Sequence, residues 1–198
     1  MKLWQKSKDS LEAVSQFTAG KDSEMDVFLI PYDIQGSLAH IAMLNQVGLL
    51  SESDWKALSA ELKKLHADAM AGKIKIEPGV EDIHSQIEIE LTRRLGEAGK
   101  KIHSGRSRND QVLVDLKLFL RNEIHTLTDS IRPLFEQLLL LSEQHREKLL
   151  PGYTHFQLAM PSSFGLWFGA YAESLVDDLE LLFATKNIIN KNPLGSAA

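Results

Sequence analysis

A glycine-free stretch from Asp110 to Leu150 constrains the fold of this chain more than any other feature of its sequence. Apolar residues recur along it at intervals of three and four, the near-heptad spacing of a helix that packs in a bundle. The positions of this seam are Leu113, Leu116, Leu120, Ile124, Leu127, Ile131, Leu134, Leu138 and Leu141. At a rise of 1.5 Å per residue, ~41 residues form one helix ~60 Å long, and Pro133 is expected to kink it.

Such a helix is longer than a globule of this size. A compact chain of 198 residues has a radius of gyration of about 16 Å, hence a diameter of ~42 Å. Over residues 138–141 the helix is apolar on every side, so neighbours are expected all around it. The pattern therefore predicts a bundle of several chains, or a further part of the same chain that the sequence lacks.

Glycine and proline divide the rest of the chain into further helices. The predicted helices cover 9–19, Pro31 to about Val47, Ser51 to about Met70, Glu81 to Leu95, and Pro161 to about Asn190. Residues 73–76, 96–105 and 153–160 are predicted to be irregular connectors. The sequence thus predicts an all-α fold, with an N-terminal helical domain over 1–109 and the first long helices of a central helical bundle over 110–198.

Composition excludes several classes of protein. Hydrophobic residues make up 43% of the chain, too many for a disordered protein. No apolar run approaches the ~20 residues that span a bilayer, and the first residues lack the apolar core of a secretory signal. The absence of cysteine excludes thiolate chemistry and fits the cytoplasm. A net charge of -5 argues against a dedicated nucleic-acid binder.

The polar loop before the long helix is the first candidate site. Between Arg93 and Arg108 the chain carries six basic residues and one acidic residue. Arginine suits carboxylate or phosphate groups, and the free N–H groups of the following helix add further donors. The loop is interpreted as an anion site that also reads an amide or amino group. The alternative is a solvated loop in which Asn109 or Asp110 caps the helix.

The connector after Pro151-Gly152 is the second candidate site. It places His155 between Thr154 and Gln157, and a histidine on such a polar connector is interpreted as a general acid or base. The alternative is a histidine with a structural role.

A metal site is not predicted. His84 and Glu88 lie one helical turn apart and His103 follows, but the spacing is typical of neither zinc nor a facial triad. A surface salt bridge or a capping role is favoured for His84.

Both candidate loops resemble signature regions of argininosuccinate lyases, which belong to the fumarase/aspartase superfamily. The loops read HSGRSRNDQ (103–111) and PGYTHFQ (151–157). The blocks YDIQGSLAH (32–40), EDIH (81–84) and NPLGS (192–196) also match, in the same order. The resemblance covers essentially the whole chain.

The resemblance implies an enzyme of arginine biosynthesis that cleaves argininosuccinate to arginine and fumarate by β-elimination, with no metal or organic cofactor. It also implies a homotetramer whose active sites are each built from three subunits, without nucleic acid or membrane as a partner. His155 matches the acid/base histidine of the family. The substrate-binding residues expected are Asn109, Thr154, Arg106, Ser107, Arg108 and Gln157.

Two departures from the family pattern matter for activity. Gly20 stands where many members carry a substrate-contacting serine. The third signature, a mobile loop rich in Gly-Ser-Ser that carries the proposed catalytic serine, does not occur in the sequence. The chain is therefore expected to be an N-terminal part of such an enzyme and inactive by itself.

Two other functions fit parts of the same sequence. A non-enzymatic helical assembly protein of the δ-crystallin type would use the same fold, and the long helix fits it. A nucleic-acid-binding helical protein would use the basic segment from Arg93 to Arg108, but the acidic remainder of the chain disfavours it.

Overall fold

The computed structural model of the chain describes Phe17 and residues 20–195. These residues form two compact units. The first contains the described residues up to Phe119 together with 192–195, and the second contains Leu120–Lys191. The helix predicted over 9–19 lies almost wholly outside the described residues, and the domain division at residue 109 stays a prediction.

The first unit is built from helices. They are α1 (Asp22–Met25), a 3-10 turn (Asp26–Leu29), α2 (Ile30–Gln46), α3 (Glu52–Met70), α4 (Ile83–Leu95), α5 (Glu97–Lys100), a second 3-10 turn (Lys101–His103) and the start of α6 (Arg108–Gln144). Polar caps fix two of the starts, because Ser51 accepts a hydrogen bond from the Asp54 N–H and Asp82 accepts one from the Ser85 N–H. The predictions of α2, α3 and α4 are confirmed.

The loop predicted over 96–105 is partly wrong, because it contains α5 and the second 3-10 turn. Its glycines are typical of a loop, but Gly99 is needed for packing. A Cβ at this position would lie 2.5 Å from the backbone of Leu91 on α4. A glycine that lets two helices approach closely is compatible with helix at that position.

Leucine and isoleucine fill the core of the first unit. They come from α2, α3, α4, the two 3-10 turns and the connection between α2 and α3: Leu29, Ile30, Ile34, Ile41, Leu44, Leu50, Leu58, Leu62, Leu65, Ile83, Ile87, Leu91 and Ile102. This core supports α2 and α4, the two helices against which the first candidate loop rests.

The segment Asp26–Gln46 is long and apolar enough to cross a membrane by length and composition alone. The sequence reading missed it because polar residues such as Asp33 and Ser37 interrupt the apolar run. Ile30, Ile34, Ile41 and Leu44 lie in the core of the first unit, as they do in a core helix of a soluble protein.

The second unit consists of the rest of α6, a two-stranded antiparallel sheet and a further long helix. The strands are β1 (Leu149–Thr154) and β2 (Gln157–Ser163), and the helix is α7 (Phe164–Ile189). The prediction of one long helix is confirmed, although α6 ends at Gln144 rather than Leu150. The all-α prediction is confirmed apart from this hairpin.

Two details of the prediction for this region are wrong. Residues 153–160 are not an irregular connector, because they pair across the hairpin, with Thr154 opposite Gln157. Pro161 does not start α7 but lies in β2 opposite Pro151, as a short two-stranded sheet has edges that tolerate proline. The helix starts after Ser163, which accepts a hydrogen bond of 3.1 Å from the Leu166 N–H.

Candidate functional site

The predicted site residues fall in both units of the structure. Arg106, Ser107, Arg108 and Asn109 belong to the first unit, at the start of α6. Thr154, His155 and Gln157 belong to the second unit, at the tip of the hairpin. Each group is described by itself.

Ser107 and Asp110 cap the start of α6. The Ser107 N–H donates to Asp110 Oδ2 at 2.8 Å, and the Asp110 N–H donates to the Ser107 carbonyl at 3.2 Å. The hydrogen bond from the Ser107 backbone lowers the pKa of Asp110. Asp110 therefore has the capping role that the sequence left open between it and Asn109, and it fixes the end of the loop.

The Arg106 side chain is turned inward against α2. Its Nη2 donates to Ser37 Oγ at 2.8 Å, while its Nε is buried without a hydrogen-bond partner among the described residues. Burial lowers the pKa of Arg106, and the carboxylates of Asp33 and Asp115 act in the opposite direction. The guanidinium thus places positive charge behind the loop rather than on the surface.

The Arg108 side chain is held by the start of α4. Its Nη1 donates to Gln111 Oε1 at 2.8 Å, its Nη2 donates to Ser85 Oγ at 3.3 Å, and its Nε lies 3.3 Å from Asp82 Oδ2. The Asn109 side chain, by contrast, is exposed and makes no hydrogen bond to any described residue. Asn109 is therefore the amide of this loop that is open to a ligand.

A buried polar cluster lies beneath the loop. His84 Nε2 and Asp115 Oδ2 are 2.7 Å apart, and both residues are at most 2% exposed. Burial acts to lower the pKa of His84, but the hydrogen bond to Asp115 and the nearby carboxylates outweigh it and raise that pKa. Burial also raises the pKa of Asp115. The surface role predicted for His84 is wrong, because its side chain is buried and bonded to Asp115, 31 residues away along the chain.

Asp33 completes this cluster from α2. Its Oδ1 accepts a hydrogen bond of 3.2 Å from Gln111 Nε2, and its Oδ2 is buried without a hydrogen-bond partner among the described residues. Sequence reasoning missed both Asp33 and Asp115. The signal for Asp33 was available, since it lies on a helix face otherwise occupied by buried isoleucines.

Within the part of the chain that the structure describes, one group of side chains could hold a metal ion: Asp33, His84 and Asp115, whose ligand atoms lie within 4.8 Å of one another. Glu88 and His103 of the sequence pattern are not in this group. His84 Nε2 is already bonded to Asp115, and Arg106 adds positive charge to both carboxylates. The chain itself therefore balances the charge of the cluster.

The hairpin brings Thr154, His155 and Gln157 together at its tip. His155 and Phe156 form the two-residue turn with φ values of 51° and 60°. Such turns normally use Asn or Gly, because a left-handed backbone is strained for other residues. Both side chains are exposed. Strain that holds a histidine at an exposed tip is typical of a functional position.

Gly152 is required by the pairing of the two strands. A Cβ at this position would lie 2.5 Å from the Met160 carbonyl oxygen, and the register shifts between Pro151 and Tyr153. The glycine thus permits the bulge that sets the register of the hairpin tip.

This chain is similar in sequence to known lyases. A family model described as "Lyase" matches residues 10–198. The chain is 57% identical over 197 residues to the argininosuccinate lyase of Bacteroides thetaiotaomicron and 58% identical over 197 residues to that of Parabacteroides distasonis. Each match covers 100% of this chain but 44% of the relative, so the chain spans less than half the length of these relatives.

A solved structure with a similar fold is EDDS lyase in complex with formate. It shares 25% sequence identity with this chain at a TM-score of 0.76, over 96% of this chain and 38% of the other. The helical architecture described above is therefore also found in a solved lyase.

Proposed function

Because the chain belongs to the lyase family, we propose that it acts in the cleavage of argininosuccinate to arginine and fumarate, a step of arginine biosynthesis in the cytoplasm. The observation that carries the proposal is the 57% identity to an argininosuccinate lyase across the whole chain. This match includes both candidate loops and the helices that support them.

The first loop supplies the electrostatics that a β-elimination needs. Removal of a proton next to a carboxylate produces a dianion resembling an enediolate, and fixed donors and positive charge stabilise it. Asn109 offers an exposed amide in the first turn of α6, where the partial positive charge of the helix start also favours an anion. Arg106 and Arg108 contribute positive charge from behind the loop, and Ser107 lies between them.

The hairpin tip supplies the proton-transfer group. His155 is exposed at the turn, and an imidazole transfers protons effectively near neutral pH. Thr154 and Gln157, which face each other in the register of the two strands, flank it with hydrogen-bonding groups. In this proposal His155 acts as the acid/base group, and Thr154 and Gln157 bind substrate beside it.

We also propose that the active enzyme is a homotetramer with active sites shared between subunits. The second unit supports this, because its helices leave large apolar side chains open to solvent, among them Leu127, Leu134, Leu166, Tyr171 and Leu181. An apolar surface of this extent is typical of a protein–protein interface.

The decisive experiment uses a chimaeric lyase. This chain replaces the matching N-terminal segment of the argininosuccinate lyase of Bacteroides thetaiotaomicron, and fumarate release is followed by its ultraviolet absorbance. The chimaera is expected to turn over argininosuccinate, whereas the 198-residue chain alone is expected not to. A chimaera that assembles but shows no turnover would contradict the proposed activity.

His155 is tested in the same chimaera. His155→Ala is expected to lower kcat by about a hundredfold to ten-thousandfold, the contribution of a general acid or base. His66→Ala, an exposed histidine on α3, is the matched control and is expected to leave the rate unchanged. An unchanged rate for His155→Ala would remove this residue from the mechanism.

A non-enzymatic assembly protein of the δ-crystallin type is the second candidate, favoured by the exposed apolar helices of the second unit. The chimaera separates the two functions. Assembly without turnover in an otherwise intact chimaera supports this candidate, and turnover that depends on His155 supports the lyase.

A further inference from the structure

Three polar residues form a stripe along one face of α2. Asp33, Ser37 and His40 are spaced by four and three residues, so their side chains share one face of the helix. Asp33 and Ser37 are fully buried and His40 is half-buried. Buried polar groups on a helix of the core need a specific reason, because apolar residues would pack there at lower cost.

Each residue of this stripe bonds to the first candidate loop or the turn that follows it. His40 Nε2 lies 2.8 Å from the Ser104 carbonyl oxygen, Ser37 Oγ accepts from Arg106 Nη2 at 2.8 Å, and Asp33 Oδ1 accepts from Gln111 Nε2 at 3.2 Å. From His40 back to Asp33 along α2, the bonded residue changes from Ser104 to Arg106 to Gln111. The loop therefore runs antiparallel to α2, with one contact at each turn of the helix.

The His40 contact is that of a neutral imidazole. The Ser104 carbonyl oxygen can only accept, so Nε2 carries a proton and donates it. Burial lowers the pKa of His40, which favours the neutral imidazole. The contact holds the main chain of the loop rather than a side chain.

The backbone of α2 approaches the start of α6 closely. A Cβ at Gly36 would lie 3.3 Å from Val114 Cγ1 and 3.6 Å from Asp115 Oδ1. The stripe is therefore presented directly to the first turns of α6, and short side chains such as Asp33 and Ser37 can reach them.

The network leaves two of its buried polar atoms without hydrogen bonds to the part of the chain that the structure describes. Asp33 Oδ2 and Arg106 Nε remain buried without hydrogen-bond partners among the described residues. Replacing a buried charged network by apolar residues is commonly neutral or stabilising. A role of these polar groups in fixing the geometry of the loop accounts for their presence.

We propose that Asp33, Ser37 and His40 are positioning residues, which fix residues 104–111 so that Ser107 and Asn109 face the substrate. The inference rests on the proposed function, because it assigns the loop to substrate binding. The three residues do not touch substrate themselves. They act through the main chain at Ser104 and through Arg106 and Gln111.

The first test measures loop mobility in the 198-residue chain and requires no activity. Ser37→Ala and His40→Leu are each expected to speed hydrogen exchange of the amides at 104–107 by about tenfold, the equivalent of one lost hydrogen bond. Exchange within α4 should stay unchanged. Gln35→Ala, an exposed change on the same helix, is the matched control and should alter neither region.

His40→Gln is the conservative variant. Its amide can still donate to the Ser104 carbonyl, so exchange in the loop should return towards the value of the unsubstituted chain. Faster exchange throughout the chain would mean that the substitutions unfold the core, and unchanged exchange at 104–107 would mean that the stripe does not hold the loop. Either result overturns the proposal.

The second test uses the chimaeric lyase and separates positioning from plain stability. Ser37→Ala and His40→Leu are expected to raise KM for argininosuccinate about tenfold, with little change in melting temperature, and His40→Gln should restore KM. Lower melting temperatures with an unchanged KM would identify the stripe as merely structural. An inactive parent chimaera would reject the proposed function while the exchange result still decided whether the stripe holds the loop.

Discussion

The two units of this chain use their apolar residues in opposite ways. In the first unit leucine and isoleucine side chains close into a continuous core. In the second unit the buried hydrophobic residues are Ile124 and Ala172, while Phe156, Leu149 and Met160 are among the most exposed side chains of the described residues. The difference shows that the first unit buries its apolar residues within its own core, whereas the second leaves most of its apolar side chains exposed.

The largest effect is expected from breaking the buried pair in the first unit. Asp115→Leu leaves His84 buried without its carboxylate partner, and such a change costs about 3–5 kcal/mol of the free energy of unfolding. Urea unfolding followed by Trp55 fluorescence measures it, in a background where Trp4 and Trp167 are changed to Phe. Trp55 reports on the correct region because it packs against the core of the first unit.

The double variant provides the control for this prediction. Asp115→Leu combined with His84→Leu removes both members of the pair, so much of the lost stability should return. A double variant as unstable as the sum of the two single variants would contradict a coupled pair.

The next largest effect tests the contrast between the units directly. Leu62→Ala removes a fully buried side chain of the first unit and should cost about 2–5 kcal/mol. Leu127→Ala, at an exposed position of α6 in the second unit, should change the stability of the dissociated chain by about 0.5 kcal/mol or less. Urea unfolding by circular dichroism at low protein concentration gives both values. Equal losses would mean that the second unit is packed as tightly as the first.

The same contrast explains which parts of the fold could be predicted from sequence. The helices α2, α3 and α4, which glycine and proline bound in the sequence, were predicted correctly, and in the structure Ser51 and Asp82 cap two of them. The hairpin was missed because its turn uses His155 and Phe156 at positive φ in place of Asn-Gly. Secondary structure was therefore predicted correctly where local sequence signals mark it, and was missed where the turn lacks its usual residues.

The candidate site also contains one part that could be predicted from sequence and one part that could not. Composition alone marked the loop that holds Arg106 and Asn109, since the local excess of positive charge is visible in the sequence. The pairing of His84 with Asp115 was not visible, because spacing rules compare residues one turn apart and pointed to Glu88 instead. This contact joins residues 31 positions apart, so it can be seen only in the folded structure.

The buried histidine should also give the first unit a pH dependence. The pKa of His84 is raised in the folded state, so the folded chain holds this proton more tightly than the unfolded chain does. The stability it contributes is fully present below the unfolded value of 6.5 and is lost as the pH rises through the folded pKa. Melting temperatures measured from pH 6.5 upward should therefore fall.

The pKa of Asp115, raised to about 6, gives a slope of the same sign, but that slope lies mainly below pH 6.5. The lowered pKa values of His40 and His103 act below 6.5. Asp115→Asn removes the carboxylate that holds the proton on His84 and should flatten the slope. A slope that persists in this variant would assign the effect to a different group.

The smallest effect is expected from removing a serine helix cap, which each unit contains. Ser51 caps α3 in the first unit and Ser163 caps α7 in the second, each accepting one backbone N–H at 3.2 Å and 3.1 Å respectively. Ser51→Ala should cost about 1 kcal/mol of the free energy of unfolding that Trp55 reports. Ser163→Ala should leave that signal unchanged and instead speed hydrogen exchange in the first turn of α7, because a helix that contributes little to the first core frays locally. If Ser163→Ala lowered the Trp55 transition as much as Ser51→Ala does, the two units would unfold as one, and the contrast in burial would not extend to their stability.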